Sequence, residues 1–271
     1  MNQPNDPIWT TIVEEVEQAA RSEVMLASFL HATILNHERF EDALSFHLAS
    51  KLGSATIHTM TLREVIYQAL NADPAIGEAA RADIHAVRDR DPACRYYSTP
   101  LLYFKGYSAL QAHRIAHWLW HRGRVQLALY LQSRVSEIFA VDIHPAARIG
   151  KGIMLDHATG IVIGETAAID DNVSMLHGVT LGGTGKERGD RHPKIRQGCL
   201  IGVGAKVLGN IVVGEGSIVG AGSVVLHPVP PHSRVVGVPA RVIGRTHGED
   251  PALVMDQFVD RDPNDPENGA Q

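Results

Sequence analysis

From Ile143 the chain counts in sixes. Ile143, Ile149, Leu155, Ile161, Ala167, Val173 and Val179 are six residues apart and all apolar, and the count resumes at Ile195, Ile201, Val207, Val213, Val219 and Val225. Glycine, alanine, asparagine and serine fill many intervening places, as in I-G-V-G-A-K-V-L-G-N-I-V-V-G-E-G-S-I-V. An α-helix repeats its apolar face about every 3.6 residues and a half-buried strand about every two, so neither explains this period. A hexapeptide repeat belongs to parallel β-helices, in which each short strand cannot bury its apolar side alone and successive coils stack at about 4.8 Å. Three hexads per coil give roughly 18 residues a turn, and the two runs provide roughly four coils, about 19 Å of prism. A conventional sandwich would need alternation in twos with turns about every 8 to 12 residues.

Val179 and Ile195 stand sixteen apart where six is expected, so ten residues are predicted to leave the prism and return. The stretch Val179 to Lys194 contains G-G-T-G-K, which resembles a phosphate-binding loop. The full motif, G-x-x-x-x-G-K-[ST], needs a glycine where Thr180 stands and a hydroxyl where Glu187 stands, so both ends fail. As an excursion loop the stretch makes sense, its glycines permitting a sharp exit. Lys186, Arg188, Arg191, His192 and Lys194 make it cationic on a chain of net charge −5. That net charge gives no general attraction to nucleic acid or an anionic membrane, so an anionic partner must be held locally, which points to a small molecule.

Upstream the period is helical. Asp6-Pro7 reads as a cap followed by a proline in the first turn, leading into a helix with Ile8, Ile12, Val16 and Ala19 on one face. Thr61 with Glu64 gives a capping-box signature for a helix that stops before Pro74. Thr99-Pro100 starts another that Gly123 ends, and R-V-Q-L-A-L-Y-L-Q-S-R-V-S-E-I-F-A follows. His113, His117 and His121 share a helix face, but three ligands one turn apart on a straight helix do not converge on one ion, so a packing face is expected and no metal. The expected division is a helical domain over 1–140, a β-helix over 141–246 and an acidic, disordered tail over 247–271.

At 271 residues and 44% hydrophobic composition, both folded parts have enough chain for a core. Cys94 and Cys199 lie far apart and make no metal or redox motif, as in a reducing compartment. The start lacks a basic stretch followed by an apolar one, and no apolar run reaches the ~18 residues of a membrane span. A cytoplasmic protein is expected, without nucleic-acid or membrane partners.

Several motifs resemble one family. R-D-P at 90–92, Y-S-T-P-L-L-Y at 97–103, V-D-I-H-P-A-A at 141–147, G-I-M-L-D-H-A-T-G at 152–160, V-T-L-G-G-T-G-K at 179–186, G-D-R-H-P-K-I at 189–195 and P-V-P-P-H at 228–232 are similar to the hexapeptide-repeat acyltransferases, and within them to the serine acetyltransferase family. The resemblance implies an α+β chain whose helical N-terminal domain precedes a left-handed parallel β-helix of hexapeptide repeats with one excursion loop. It further implies trimers with active sites between adjacent prisms, often paired through the helical domains as a dimer of trimers. The implied reaction moves acetyl from acetyl-CoA to the hydroxyl of L-serine, for cysteine synthesis, with acetyl-CoA as co-substrate and no cofactor. Members are often inhibited by cysteine at the serine site, and often bind cysteine synthase through a terminal isoleucine. This chain ends in Gln271, which puts that association in question.

An aliphatic hydroxyl needs a base of pKa near 6 to 7 within hydrogen-bond reach. The resemblance gives this role to His157 and pairs it with Asp142, which would orient the ring and stabilise the imidazolium. Fifteen residues is three short of an 18-residue coil, which places Asp142 about one 4.8 Å layer away. From residue types alone, a surface histidine beside an unrelated carboxylate fits as well. By the same resemblance Asp91 and Asp156 receive the serine ammonium, Arg191 takes its carboxylate and His192 helps to hold it; a guanidinium can bind a carboxylate bidentately. Asp91 is equally a turn residue, Asp156 a corner cap and Arg191 a solvated loop charge. Acetyl-CoA is expected beside Gly182, Gly183, Val203, Ala221, Arg241 and Arg245, where small residues admit the arm and cations meet phosphate, although tight coil corners also call for small residues. A rival from another class is a zinc lyase of the γ-carbonic-anhydrase kind on His157, His177 and His192, and a third reading is a non-enzymatic scaffold.

Overall fold

The computed structural model describes residues 6–185, 188–246 and 250–257. Lys186 of the excursion loop and Gln271 therefore lie outside the described residues. Asp6 caps α1 (Pro7–Ser22) through a bond from Trp9 N, with Pro7 in the first turn. Ile12 and Val16 are buried along with Trp9, and Ile8 and Ala19 pack partly against them. α2 (Ala27–Leu30) runs into one π turn before α3 (Phe40–Leu52), which Gly53 ends. α4 (Thr59–Ala72) starts two residues ahead of the Thr61–Glu64 signature, with His58 at the cap and no side-chain cap bond. Packing of Leu62, Ile66 and Leu70 holds this helix, so the expected capping box is not formed. α5 (Pro74–Arg90) follows, capped by Asp73.

The helix expected from Thr99 to Gly123 is divided. α6 (Ser98–Tyr103) stops at Phe104, whose backbone is extended, and α7 (Lys105–His121) begins at once. The break lets α7 press directly on the prism: a Cβ on Gly106 would stand 2.1 Å from the Leu155 carbonyl oxygen. α8 (Val125–Phe139) then leads into the prism.

The first coil consists of β1 (Val141–Ile143), β2 (Arg148–Ile149) and β3 (Met154–Asp156). The second holds β4 (Ile161–Ile163), β5 (Ala168–Ile169) and β6 (Ser174–Leu176). β7 (Thr180–Gly182), β8 (Lys194–Ile195) and β9 (Leu200–Ile201) form the third. β10 (Lys206–Leu208), β11 (Val212–Val213) and β12 (Ile218–Val219) form the fourth. β13 (Val224–Val225) and β14 (Ser233–Gly237) continue the stack, and β15 (Ala240–Arg245) folds back antiparallel on β14. Three parallel faces result: β1-β4-β7-β10-β13 on face one, β2-β5-β8-β11 on face two and β3-β6-β9-β12-β14-β15 on face three. Of the thirteen residues spaced by six, all are buried except the half-buried Ile149. Each contributes about 1.5–3 kcal/mol if fully removed from water, less for alanine.

The registers correct the expected coil lengths. Val141 pairs with Ile161, Arg148 with Ala168 and Met154 with Ser174, a step of 20 residues and not 18. Ala168 pairs with Lys194, Ser174 with Leu200 and Thr180 with Lys206, a step of 26, and later steps return to 18. The ten surplus residues thus divide: two (20 − 18) fall in the first coil and eight (26 − 18) in the excursion. Asp156 and Val162 enclose five residues where their partners Leu176 and Thr180 enclose three. Gly178 N donates to Thr159 O and Gly204 N to His177 O, which stacks Thr159 on His177 and leaves His157 and Ala158 as the insertion. Both adopt left-handed backbone, φ 53° and 55°, a conformation that costs non-glycine residues about 1 kcal/mol or more.

A buried ion pair joins the two halves. Asp83, fully buried on α5, accepts from Arg114 Nη2 at 2.7 Å, Gln111 Nε2 at 2.9 Å and the backbone N of Ile153 at 2.9 Å. Arg114 Nη2 also donates to the Gly150 carbonyl at 2.7 Å, so α5, α7 and the first coil share one network. The stretch expected to be a free tail is seated where it is described. α9 (Pro251–Val254) buries Ala252, and Ser174 Oγ donates to its carbonyl at 2.9 Å. Among the described residues no helix is long and apolar enough to cross a membrane.

Candidate active site

One corner of the prism, between faces three and one, carries His157. Its side chain is 78% exposed, and its Nε2 lies 4.0 Å from Asp156 Oδ1 at the end of β3. The ring meets His177 of the next coil edge-on, centroids 5.9 Å apart and planes at 76°. Lys105, first residue of α7, donates through Nζ to Thr159 Oγ1. Asp91 ends α5 on the same side, because the turn after it carries Cys94, which packs with Val87 and with Met154 of β3. Asp91 Oδ1 accepts from Ala93 N at 2.8 Å, the turn role available to it from sequence. Burial pushes the Cys94 thiol up to about 11 and the Cys199 thiol up to about 12, so neither is a ready nucleophile. Val203 and Ala221 continue this corner in the coils beyond His177, linked by Gly222 N donating to Val203 O at 2.8 Å.

The next corner, between faces one and two, carries Arg191 and His192. Thr166 organises it: Oγ1 accepts from Arg191 N at 3.0 Å and His192 N at 3.1 Å, and the Thr166 N and Oγ1 approach His192 Nδ1 at 3.2 and 2.9 Å. A backbone N–H donating to Nδ1 makes that nitrogen the acceptor and leaves the ring proton on Nε2. Burial, followed by the Arg191 charge, lowers the His192 pKa, which keeps the ring neutral. The ring lies over Gly164, where a Cβ would stand 2.0 Å from Cδ2 and Nε2. Arg191 Nη2 donates to Glu165 Oε2 at 2.6 Å, and that bond lowers the Glu165 pKa. Lys194 Nζ anchors the base of the loop on Thr166 O and Asp190. Gly182 and Gly183 lie on this side: Gly182 ends β7, and Gly183 stands against the Arg191 backbone.

Asp142 is in the middle of β1 on face one, paired with Val162, and Gln132 Nε2 donates to its Oδ1 at 2.7 Å. Within one chain its carboxylate makes no bond to His157. Arg241 and Arg245 lie on β15, opposite Val236 and Ser233 at the end of face three farthest from β3. The expected site residues thus form two groups: Asp91, Asp156, His157, Val203 and Ala221 at one corner, and Arg191, His192, Gly182 and Gly183 at the other. Of the three histidines in the zinc alternative, His157 and His177 meet and His192 stands at the second corner. Among the described residues no three His, Cys, Asp or Glu side chains are grouped to hold a metal. His113 is buried and His117 Nδ1 donates to Pro145 O at 2.7 Å, so this face packs as expected, and burial lowers both pKa values.

The family model described as "Serine acetyltransferase, N-terminal" matches residues 8–112, and that for bacterial transferase hexapeptides matches 192–227. The serine acetyltransferase of Salmonella typhimurium is 60% identical over 250 residues, 92% of each chain. The chain belongs to the serine acetyltransferase family. Its fold agrees with the crystal structure of the Vibrio cholerae serine acetyltransferase at a TM-score of 0.92, with 60% identity over 93% of this chain and 97% of that one. The soybean serine acetyltransferase complexed with serine matches at 0.87, with 57% identity over 89% of this chain and 100% of its own. The Brucella abortus serine acetyltransferase in complex with coenzyme A matches at 0.88, with 56% identity over 90% and 97%.

For a serine acetyltransferase, the sequence had pointed to the groups expected to touch substrate and missed those that hold them. Thr166, Glu165, Gly164 and His177 were not assigned a site role. A signal for Thr166 existed: it lies 26 residues before His192, one coil plus the eight-residue excursion. Counting the excursion as ten hid that alignment.

Proposed function

We propose that this chain transfers the acetyl group of acetyl-CoA to the hydroxyl of L-serine, giving O-acetyl-L-serine and CoA, with the cytoplasm as its setting. Two free, buried thiols accord with that setting. The observation that carries the reading is the insertion at His157. It lifts an imidazole out of the coil beside Asp156, on the corner where Val203 and Ala221 leave only small groups above it. In this reading a neutral His157 takes the serine hydroxyl proton as the oxygen attacks the thioester carbonyl. The tetrahedral intermediate then collapses, the C–S bond breaks, and the imidazolium returns the proton to the thiolate. Asp91 and Asp156 hold the ammonium, Arg191 the carboxylate, and the His192 Nε2–H donates to the bound serine. The arm of acetyl-CoA follows the corner past Val203 and Ala221 toward Arg241 and Arg245, about 24 Å at five strand spacings.

The two groups of residues stand on the two corners that bound face one. A threefold ring in which each chain's His157 corner meets its neighbour's Arg191 corner completes three sites and turns face one toward the axis. Asp142, on face one, then has a neighbour's histidine to pair with as well as its own. Exposed Val162 and Leu226 on this side are apolar groups such a ring would cover. We therefore propose a trimer, alone or paired through the helical domains. L-cysteine, which differs from serine by sulfur for oxygen, is proposed to bind the same place and inhibit in competition with serine.

The test is thiol release from acetyl-CoA with L-serine, followed by mixing. His157→Ala and Arg191→Ala chains, each inactive at low serine, are co-refolded in equal amounts. A shared site restores roughly a quarter of the interfaces. Activity no higher than that of the two parents places each site within one chain and sinks the trimeric arrangement. Wild-type protein that releases no thiol with serine sinks the function.

A further inference from the structure

We propose that His177 is a positioning residue that sets the ring of His157 for proton transfer, an inference that rests on the acetyl-transfer reading. A general base works only when its ring is held within a few tenths of an ångström of the reacting proton. The insertion that carries His157 frees it from the coil, with left-handed backbone at His157 and Ala158 and a side chain 78% exposed. Within the chain two groups touch that ring. Asp156 stands at 4.0 Å, beyond a hydrogen bond, and is claimed by the substrate ammonium in the reading above. The other is His177, at 5.9 Å between centroids and 76° between planes, the edge-to-face geometry in which aromatic rings attract.

The position of His177 is fixed from below and above. Gly178 N, next to it, donates to Thr159 O at 2.8 Å, and its own carbonyl accepts from Gly204 N at 2.9 Å. The same place in the next two coils holds Val203 and Ala221, which cannot offer a ring face. His177 is thus the one large planar group in the column, one layer from the insertion, and a ring face is also a favourable neighbour for the imidazolium that His157 becomes.

The experiment compares His177→Ala and His177→Phe in the full-length protein. Alanine removes the ring; phenylalanine restores a ring without nitrogen. For alanine we expect kcat to fall about three- to tenfold, with KM for serine and acetyl-CoA within about twofold. Phenylalanine is expected to bring kcat back to within about twofold of wild type. An alanine variant with wild-type kcat overturns the proposal. So does a loss confined to KM for acetyl-CoA, which would make His177 a contact of the arm, and so does a phenylalanine variant no better than alanine. The His157 ring proton resonances give a readout independent of turnover, expected to move with alanine and to recover in part with phenylalanine. If wild-type protein shows no turnover with serine, the function fails whatever those resonances do. If it turns over and neither kcat nor resonances respond, only the role of His177 fails.

Discussion

The two corners that bound face one are built by opposite means. At the His157 corner the chain gains two residues, both in left-handed backbone, and the functional ring is left exposed with one carboxylate and one aromatic neighbour. At the Arg191 corner it gains eight, and the loop is pinned by Thr166, Glu165 and Lys194 through short bonds that use backbone and side chain together. The difference suits two tasks. A group that must exchange a proton with two partners in turn needs access, whereas groups that hold a carboxylate and an ammonium gain from being set before the substrate arrives.

The contrast breaks most sharply at His157. His157→Ala is expected to lower kcat by about 10²–10⁴-fold with a small change in KM for serine. A variant within tenfold of wild type would show that the base lies elsewhere. At the other corner the effect moves to binding: Arg191→Ala should raise KM for serine by about 10- to 100-fold, the worth of a charge-assisted pair, with a smaller effect on kcat. If kcat takes the loss and KM does not, the division of labour between the corners is wrong. Gly164→Ala is smaller again, because the new methyl meets a ring edge that can tilt; about a tenfold rise in KM is expected, read together with unchanged thermal stability.

The smallest effect is that of Thr166→Val, which keeps shape and removes the hydroxyl that accepts from Arg191 N and His192 N. About a fivefold rise in KM is expected. The pH dependence gives a second check. His192 has its pKa lowered from the ordinary 6.5 by burial and by Arg191. Its neutral form therefore contributes stability that is complete above 6.5 and is lost as the pH falls through the lowered value. Protonation also takes away the Nδ1 lone pair that Thr166 N uses, so KM for serine should rise as the pH falls below 6.5, and this rise should be blunted in Thr166→Val. An identical acid profile in both proteins would detach His192 from serine binding.

The prism was legible because burial of one residue in six has few other solutions, and the helices because caps such as Asp6-Pro7 act over a few residues. What escaped was phase. Each strand of face one buries two residues two apart, Val141 and Ile143, Ile161 and Ile163, Val179 and Leu181, so a two-residue insertion passes from one interior position to the other without leaving the apolar pattern. The count of sixes ran through His157 unbroken and added its two residues to the excursion. Asp142 was misplaced for the same reason, since the first step is 20 residues long. The candidate residues with charge or a ring were visible one by one, but Thr166 and Gly164 acquire meaning only when one coil is laid on another.

That stacking also makes the His157 corner a graduated scale. Each further coil adds one rung of about 4.8 Å and 18 residues, and the rungs above the histidine carry no chemistry of their own. Removing one such coil, from Leu200 to the residue before Ile218, would bring Arg241 and Arg245 one rung nearer to His157 while leaving both corners of the first two coils untouched. The reach between the reacting carbon and the far phosphates of a long ligand is therefore written as a whole number of turns, and can be edited in the same unit.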